Sequence, residues 1–316
     1  MGGKYSIAFV LLGIVLPLFG APLRIVSYNV ENLFHPAHDT VGGVEKEDLE
    51  WTAEGERRWT YTRYYQKIEN IARVLTNIGE WEGVDIAGLQ EVENRECVKR
   101  LCTTLRRGEY DFVHYDSPDR RGIDVALIYK KTRIDTIRTR AMRVSSSLNE
   151  EWTTRDILYV CARVDQVDTL HLFVCHLPSQ RGGIAETEWK RLAAKQVLQD
   201  GLDSVLAINE KALIIVMGDM NSEPPAQGYG LRGVRYKVPV SGEGTHKHHG
   251  QWACLDHFYT SAALDSLSTA RIYDALWIKE ADERYLGLRP TRTFNGFRYQ
   301  SGYSDHLPLV LDATLR

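Results

Sequence analysis

The chain of 316 residues has only five cysteines, and no two of them are spaced as Cys-x-x-Cys. An odd number of cysteines without paired spacing disfavours a disulfide scaffold. Cys161 and Cys175 both lie in apolar, strand-like segments. Two interpretations of this pair stay open, namely small buried hydrophobic residues or one bridge between neighbouring strands.

An excess of positive charge is also absent. The chain has 39 Lys and Arg residues against 42 Asp and Glu, a formal net charge of -3. Proteins built mainly to hold nucleic acid usually carry a basic domain or stripe, so the charge argues against that class, although a local basic groove is compatible with it. A hydrophobic content of 43% and a charged content of 26% are those of a soluble globular protein and exclude disordered and fibrous classes.

Long hydrophobic segments are absent after the N-terminus. The apolar run at residues 7–19 follows Lys4 and precedes the small residues Gly20 and Ala21. It is too short to span a bilayer comfortably and has the length of a signal-peptide core. We therefore expect residues 1–21 to be a signal peptide and the protein to be exported, to the periplasm or the extracellular space. The alternative is a buried N-terminal helix.

The rest of the chain has no Pro- or Ser-rich linker, which predicts a single α/β domain over residues 22–316. Apolar or β-branched runs, mostly bounded by Gly, Asp or Pro, predict strands at residues 24–29, 85–90, 124–130, 157–164, 169–176, 212–219 and 307–315. Apolar residues at helical spacing predict amphipathic helices over residues 63–81 and 186–209.

Polar residues stand at the ends of several predicted strands, where α/β proteins place their ligands. They are Asn29, Glu91, His176, Asp219, Asn221, Asp305 and His306. The oxygens of Asn29, Glu91 and Asp305 suit Mg²⁺, Mn²⁺ or Ca²⁺ better than Zn²⁺. A hard cation together with two histidines and Asp219 suits in-line attack of water on phosphorus.

At these residues the sequence resembles the endonuclease/exonuclease/phosphatase superfamily, which includes deoxyribonuclease I, apurinic endonucleases, inositol polyphosphate 5-phosphatases and bacterial sphingomyelinases. The matching segments, in family order, are SYNVENLF, LQEVEN, RRGIDVALIYK, TTRDILYV, HLPSQRGG, GDMNSEP, CLDHFYTS and YSDHLPL. One segment alone is a weak signal, but the ordered set is specific. The resemblance implies a four-layer α/β/β/α sandwich of two mixed β-sheets packed face to face, with helices outside. It also implies a phosphoester substrate, and we expect a monomer.

The resemblance further implies a metal site and a water-activating site. Glu91, with Asn29 and Asp305, would hold the divalent ion, Mg²⁺ with Mn²⁺ or Ca²⁺ as alternatives. Asp219 would orient or deprotonate the attacking water. Asn221 would hydrogen-bond the phosphoryl oxygens.

Five other residues receive roles from the same resemblance. His306, fixed by the carboxylate of Asp256, would act as general base or stabilise charge. His176, oriented by Asp124, would donate to the phosphate or the leaving group, and Arg155 would clamp the phosphate as a rigid fork. The alternatives are that Asp256 merely starts a strand, that Asp124 is a turn residue and that Arg155 makes a surface salt bridge.

Three further features bear on the substrate. Glu93 is acidic where deoxyribonuclease I-like proteins carry a basic DNA contact, which weakens the interpretation as a duplex nuclease. The histidine-rich segment 245–250, THKHHG, is interpreted as a loop that flanks the site rather than as a metal site. The aromatic residues between Trp51 and Tyr65 are expected to pack on the domain.

Three functions therefore stand side by side. The first is an exported, divalent-metal-dependent phosphodiesterase, most similar to a nuclease. The second is a phosphomonoesterase or a sphingomyelinase-like phospholipid phosphodiesterase with the same core. The third, a non-catalytic binding module, is disfavoured because Glu91, Asp219 and His306 are all present.

Overall fold

The computed structural model of the protein describes residues 22–39, 46–106, 108–224 and 230–315, and the predicted signal peptide lies outside these ranges. The helices are α1 (Tyr61–Gly79), α2 (Arg95–Leu105), α3 (Ile184–Ile208) and α4 (Ala262–Asp265). The longer strands are β1 (Leu23–Leu33), β2 (Ile86–Val92), β3 (Tyr110–His114), β4 (Asp124–Lys130), β5 (Ile134–Met142), β6 (Ile157–Val164), β7 (Asp168–His176), β8 (Leu213–Asp219), β12 (Asp256–Ser261), β13 (Ser268–Ile272) and β18 (Leu309–Ala313). The short strands are β9 (Val234–Tyr236), β10 (His246–His248), β11 (Gln251–Ala253), β14 (Lys279–Ala281), β15 (Leu288–Pro290), β16 (Phe294–Asn295) and β17 (Arg298–Tyr299).

Two six-stranded mixed sheets form the centre of the fold. Sheet 1 has the order β13-β18-β1-β2-β4-β3, and sheet 2 has the order β5-β6-β7-β8-β12-β9. The pairs β1–β2 and β7–β8 are parallel, while their neighbours in each sheet are antiparallel. Each sheet therefore has one parallel pair whose carboxyl ends can carry functional residues.

The main hydrophobic core lies between the two sheets. It joins Ile25 and Ile86 of sheet 1, which share the face of Gly88, to Val174 and Met217 of sheet 2. The sheets approach so closely at Gly88 that an added Cβ would lie 2.6 Å from the sulfur of Met217. Only glycine fits this point of the interface without displacing a neighbour.

Helices cover the outer faces of both sheets. The apolar face of α1, with Ile68, Ile71 and Leu75, is buried in the same core cluster as sheet 1. On the other side Leu198 and Leu202 of α3 pack in a separate cluster on the outer face of sheet 2. The four-layer α/β/β/α sandwich expected from the sequence is confirmed.

The predicted strands and both predicted helices are present, and further elements were not foreseen. Among these are α2, β3, β5 and the short hairpins that follow Asp219. Of the aromatic residues expected to pack on the domain, Trp51, Trp59 and Tyr64 are buried, and the indole nitrogen of Trp59 donates to the Phe34 carbonyl at 2.8 Å, whereas Tyr61 and Tyr65 are exposed. All five cysteines are free, so Cys161 and Cys175 form no bridge. Within the described ranges, no helix is both long enough and apolar enough to cross a membrane.

Candidate active site

The two parallel strand pairs end beside each other, at one edge of the sandwich. In sheet 2, His176 ends β7 and is the register partner of Asp219, which ends β8. In sheet 1, Asn29 of β1 pairs with Gln90 of β2, and the register shifts around Glu91. The side chain of Asn29 reaches across the sheets and donates to Asp219 at 3.1 Å.

Asp219 is the centre of the cluster. Its Oδ2 atom lies 3.6 Å from Nε2 of His176 and 3.8 Å from Nε2 of His306. Its Oδ1 atom accepts a hydrogen bond from the backbone N–H of Asn221 at 2.8 Å. Burial of this carboxyl group raises its pKa to about 7, since removal from water disfavours the charged form. The group can therefore exchange a proton near neutral pH.

The backbone before Asp219 explains why a buried strand ends there. Gly218 has a φ of +142°, and a Cβ at this position would lie 1.9 Å from the carbonyl oxygen of Cys175. The glycine allows β8 to pack tightly against β7 just before the carboxylate. Asn221 follows with a φ of +48°, and its amide donates to the Leu177 carbonyl at 2.9 Å.

His306 is held by the expected carboxylate. Its Nδ1 atom lies 2.7 Å from Oδ2 of Asp256, which begins β12 directly opposite Asp219. Burial favours the neutral ring, but Asp256, supported by Asp219, raises the pKa of His306 well above its ordinary value. The ring is therefore cationic at neutral pH and directs Nε2 toward Asp219. Asp256 begins β12 and also holds the ring of His306, so the alternative that it merely starts a strand is not supported.

His176 has the opposite electrostatic environment. Burial, and after it the positive charges of Arg155 and Arg121, lowers the pKa of this imidazole well below its ordinary value. The ring is therefore neutral, with Nε2 also 3.9 Å from Oε1 of Glu91. Two histidines on either side of one carboxylate thus differ in charge, which suits them to different roles.

Arg155 lies beneath His176 rather than in the open cleft. Its guanidinium donates to the carbonyls of His176 (3.3 Å) and Leu177 (3.0 Å) and to the carboxylate of Asp119 (3.1 Å). The side chain is buried with these donors in use. The expected phosphate clamp and the alternative of a surface salt bridge are both wrong, since Arg155 fixes the backbone that carries His176.

Arg121 is a functional candidate that the sequence reasoning missed. Its guanidinium is half-exposed, donates to the side-chain oxygen of Asn32 at 3.1 Å and lies 4.0 Å from Oε1 of Glu91. A cationic fork that is open to solvent beside the cluster suits a phosphate contact. The signal was present in the matching segment RRGIDVALIYK, where this arginine precedes a glycine with a φ of +73°.

Asp124 does not orient His176. Its carboxylate accepts from the backbone N–H of Ser117 at 3.1 Å and from the Ser117 hydroxyl, and it faces His114. The Nδ1 atom of His176 is buried without a hydrogen-bond partner among the described residues. The expected pairing is therefore wrong, because Asp124 has its own partners at the start of β4.

Asp305 also has partners other than those expected. Its carboxylate binds the guanidinium of Arg292 and lies 4.0 Å from Nε2 of His246. The amide oxygen of Asn29 accepts from the backbone N–H of Glu31 at 3.0 Å. Among the described residues, no hydrogen bond or ion pair joins Asp305 to Glu91 or Asn29. Carboxylate and amide oxygens are all acceptors and form no hydrogen bonds with one another, so a shared cation is what would join these three residues.

A second carboxylate of β1 was not foreseen. Glu31 is buried, accepts from the backbone N–H of Thr293 at 2.7 Å, and lies 3.6 Å from Arg292 and 3.8 Å from Lys67. Arg292 thus lies between Glu31 and Asp305. The segment SYNVENLF contained this acid two residues after Asn29, but one sequence alone does not distinguish it from a surface glutamate.

Glu93 does not face a substrate. It is buried, accepts from the backbone N–H of His35 at 2.7 Å and from the side chain of Asn94 at 3.0 Å, and burial raises its pKa to about 9. The side chain is therefore neutral and internal. The argument against a duplex nuclease that rested on its negative charge loses its basis.

The donor atoms fit a hard divalent cation. Oε2 of Glu91 accepts from the backbone N–H of Asn32 at 2.9 Å, whereas Oε1 makes no hydrogen bond within the described part of the chain. That oxygen lies 3.9 Å from Nε2 of His176 in the cluster. Burial lowers the pKa of Lys67 to about 8, and the charges of Asp305 and Glu91 both oppose this shift, so the two carboxylates lie around the same ammonium group. Carboxylate oxygens are the ligands that Mg²⁺ and Ca²⁺ prefer.

Comparisons with known proteins agree with this geometry. The sequence profile of the Endonuclease/Exonuclease/phosphatase family matches residues 24–314. No curated protein is significantly similar to the chain in sequence.

Solved structures share the fold at low sequence identity. Truncated Caenorhabditis elegans TDP2 has a TM-score of 0.59 and 18% identity, over 94% of this chain and 99% of that chain. The Bacteroides thetaiotaomicron mannosyl-6-phosphatase has a TM-score of 0.57 and 15% identity, over 93% and 100%. The human Nocturnin catalytic domain with bound sulfate has a TM-score of 0.56 and 16% identity, over 92% and 93%. With the family profile matching nearly its whole length, the chain belongs to the Endonuclease/Exonuclease/phosphatase family.

Proposed function

We propose that the protein is an exported, divalent-metal-dependent phosphodiesterase that cleaves its substrate by in-line attack of water, in the manner of a nuclease. The observation that carries this proposal is the contact set of Asp219. One buried carboxylate lies within 4 Å of a neutral imidazole and of a cationic imidazole. Such a set supplies a proton acceptor, a hydrogen-bond donor and a positive charge within reach of one phosphate group.

The roles follow from the charge states. Asp219 orients the attacking water and accepts its proton, since its pKa of about 7 is matched to neutral pH. His306, kept cationic by Asp256, stabilises the negative charge on the phosphoryl oxygens. His176 hydrogen-bonds the phosphate or the leaving group, while Asn221 and Arg121 supply further donors for phosphate oxygens.

Glu91 and Asp305 would hold the divalent cation, Mg²⁺ with Mn²⁺ or Ca²⁺ as alternatives. When bound, such an ion polarises a phosphoryl oxygen and neutralises charge on the substrate. Asn29, the third ligand expected from the sequence, would contribute its amide oxygen, while its amide nitrogen donates to Asp219 and fixes this carboxylate across the interface of the sheets. Asp219 would still orient the water and accept its proton, and the two histidines would still contact the phosphate.

A row of rings beside the site favours a phosphodiester with a planar group. The imidazole of His306 lies 4.8 Å from that of His246, and the stacked rings of His248 and His249 follow at 4.0 Å from each other. Tyr285 continues the row, 5.8 Å from His249. The outer members of the row, His248, His249 and Tyr285, line a cavity of about 430 Å³ that reaches Asp305.

The chemistry of this cavity supports a nucleobase as the planar group. Its basic side chains are largely paired, Lys247 with Asp282 at 3.1 Å and Arg292 with Asp305. A neutral ring that stacks on imidazole and has polar edges is therefore a better occupant than a second phosphate.

Export is proposed from the apolar run at residues 7–19 and the small residues after it. N-terminal sequencing of protein recovered outside the cytoplasm tests this part. A chain that starts at Met1, or protein found only inside the cell, would refute it.

A substrate panel tests the proposed function. Purified protein is assayed with Mg²⁺ and with EDTA on single- and double-stranded DNA, RNA, sphingomyelin and inositol phosphates. We expect hydrolysis of a nucleic acid that EDTA abolishes and added Mg²⁺ restores. Cleavage confined to monoesters or to sphingomyelin would assign the site to the corresponding alternative, and no hydrolysis of any phosphoester would refute the proposal.

A further inference from the structure

A second group of ligand-type side chains lies where β3 ends and β4 begins. His114 is the last residue of β3, Asp124 is the first residue of β4, and Asp116 is in the loop between them. One ring nitrogen and one oxygen from each carboxylate lie within 4.8 Å of one another. This group is separate from the contacts of Asp219 and has no part in the proposed reaction.

Two atoms of this group are buried without hydrogen bonds. Nε2 of His114 and Oδ2 of Asp124 are both inaccessible and unpartnered among the described residues, and they face each other at 3.4 Å. This separation is longer than the 2.7–3.2 Å of an ordinary N–H···O hydrogen bond. Unpartnered buried polar atoms are rare, and an ion bound to both atoms would satisfy them better than their own long contact does.

The geometry suits a metal ion. Two ligands that lie about 2.1 Å from a tetrahedral zinc ion are about 3.4 Å apart. The other oxygen of Asp124 is fixed by the backbone N–H and the hydroxyl of Ser117, the kind of support that orients a metal ligand. Asp116 is exposed and offers both a third ligand and a path of entry.

We propose that His114, Asp116 and Asp124 form a second metal site, which binds a divalent transition metal such as Zn²⁺. The imidazole selects against Mg²⁺ and Ca²⁺, which prefer oxygen ligands alone. An ion here would close the base of the loop at residues 115–123. That loop carries Asp119, which holds Arg155 in place beneath His176, and Arg121, which lies beside Glu91.

Metal retention tests the site without reference to hydrolysis. The measurement uses the His246→Ala variant, so that zinc bound at another group of His and Asp residues contributes less to the result. That group, among the described residues, consists of His246, Asp305 and His306. Protein stripped with a chelator is loaded with Zn²⁺ alone, desalted and analysed for bound zinc. We expect about one equivalent per chain, and after Co²⁺ loading the visible absorption of a four-coordinate site.

Zinc binding by the His246→Ala protein is then compared with that of proteins carrying one further substitution. Asp116→Asn changes an exposed residue and should leave the far-ultraviolet circular dichroism unchanged, yet weaken zinc binding at least about tenfold, as should His114→Ala. The matched control is Asp111→Asn, which changes an exposed aspartate of β3, the strand of His114, and should retain the metal. Zinc retained equally by all these variants, or none retained by the His246→Ala protein, would overturn the proposal.

Discussion

Single residues at this site act through the charge states that their neighbours impose. His176 and His306 contact the same oxygen of Asp219, yet burial and two arginines keep the first neutral, while Asp256 keeps the second cationic. The sequence predicted the identity of the pair from the positions of strand ends. It could not predict the difference in charge, because that depends on which groups lie behind each ring.

The two arginines near His176 illustrate the same limit. Arg155 and Arg121 both stand in segments that match the family, and sequence reasoning chose the first as the phosphate clamp. Only packing shows that Arg155 donates to the carbonyls of His176 and Leu177, whereas Arg121 is half-exposed. An arginine in a family segment can thus bind phosphate in principle, but only an arginine that is exposed to solvent has its donors available for the substrate.

Substitution of Arg155 should lower stability, whereas substitution of Arg121 should weaken substrate binding. Arg155→Gln leaves the buried carboxylate of Asp119 without its ion pair and should lower the free energy of unfolding by about 3–5 kcal/mol. Arg121→Gln should change it by less than about 0.5 kcal/mol but raise KM about tenfold through loss of a charge-assisted contact. Chemical denaturation and steady-state kinetics of both variants measure these effects. A stable Arg155→Gln enzyme with only a raised KM would restore Arg155 as the clamp.

At the scale of elements, long periodic segments were predictable and short ones were not. The strands of both parallel pairs and the helix α1 contain enough apolar residues for their period to show. The predicted helix α3 is present, but its apolar residues are spread around the helix, with Leu192 exposed and Arg191 buried. The helix α2 spans 11 residues with four buried side chains, and its start is marked only by Asn94, whose side chain accepts from the N–H groups of Glu96 and Cys97. The hairpin of β10 and β11 is held by three register pairs and by a bridge between His246 and His306. It therefore owes its position to the site rather than to its own sequence, which is why it was taken for a loop.

The ring row on this hairpin should affect only substrates with a planar group. His249→Ala should lower kcat/KM for thymidine 5′-(p-nitrophenyl phosphate) about tenfold, since stacking of one base contributes about 1–3 kcal/mol. His249→Phe keeps a ring and should retain most of the rate. Methyl p-nitrophenyl phosphate, which lacks a base, should be cleaved equally by all three proteins. Equal losses on both substrates would show that the hairpin supports the fold instead of binding a base.

At the scale of the whole molecule, the fold brings distant segments to one edge of the sandwich. The parallel pairs of the two sheets end there, and the interface between the sheets allows Asn29 to bond to Asp219. The architecture and this convergence were predictable, because strand order and polar strand ends follow a family pattern. The relation between Asp305 and Arg292, or between Glu31 and Lys67, was not, since each joins residues that no periodicity connects.

Steady-state hydrolysis by Asp219→Asn and His306→Ala, on whichever phosphodiester the wild-type protein cleaves, is the most direct test of this account. Each variant should lose at least about 10²-fold in kcat with unchanged circular dichroism, because each removes a group that transfers a proton or stabilises charge at the phosphate. Asp200→Asn, an exposed aspartate of α3, should cleave at the wild-type rate. Wild-type rates in both site variants would contradict the central claim that Asp219 and the two imidazoles beside it perform the reaction.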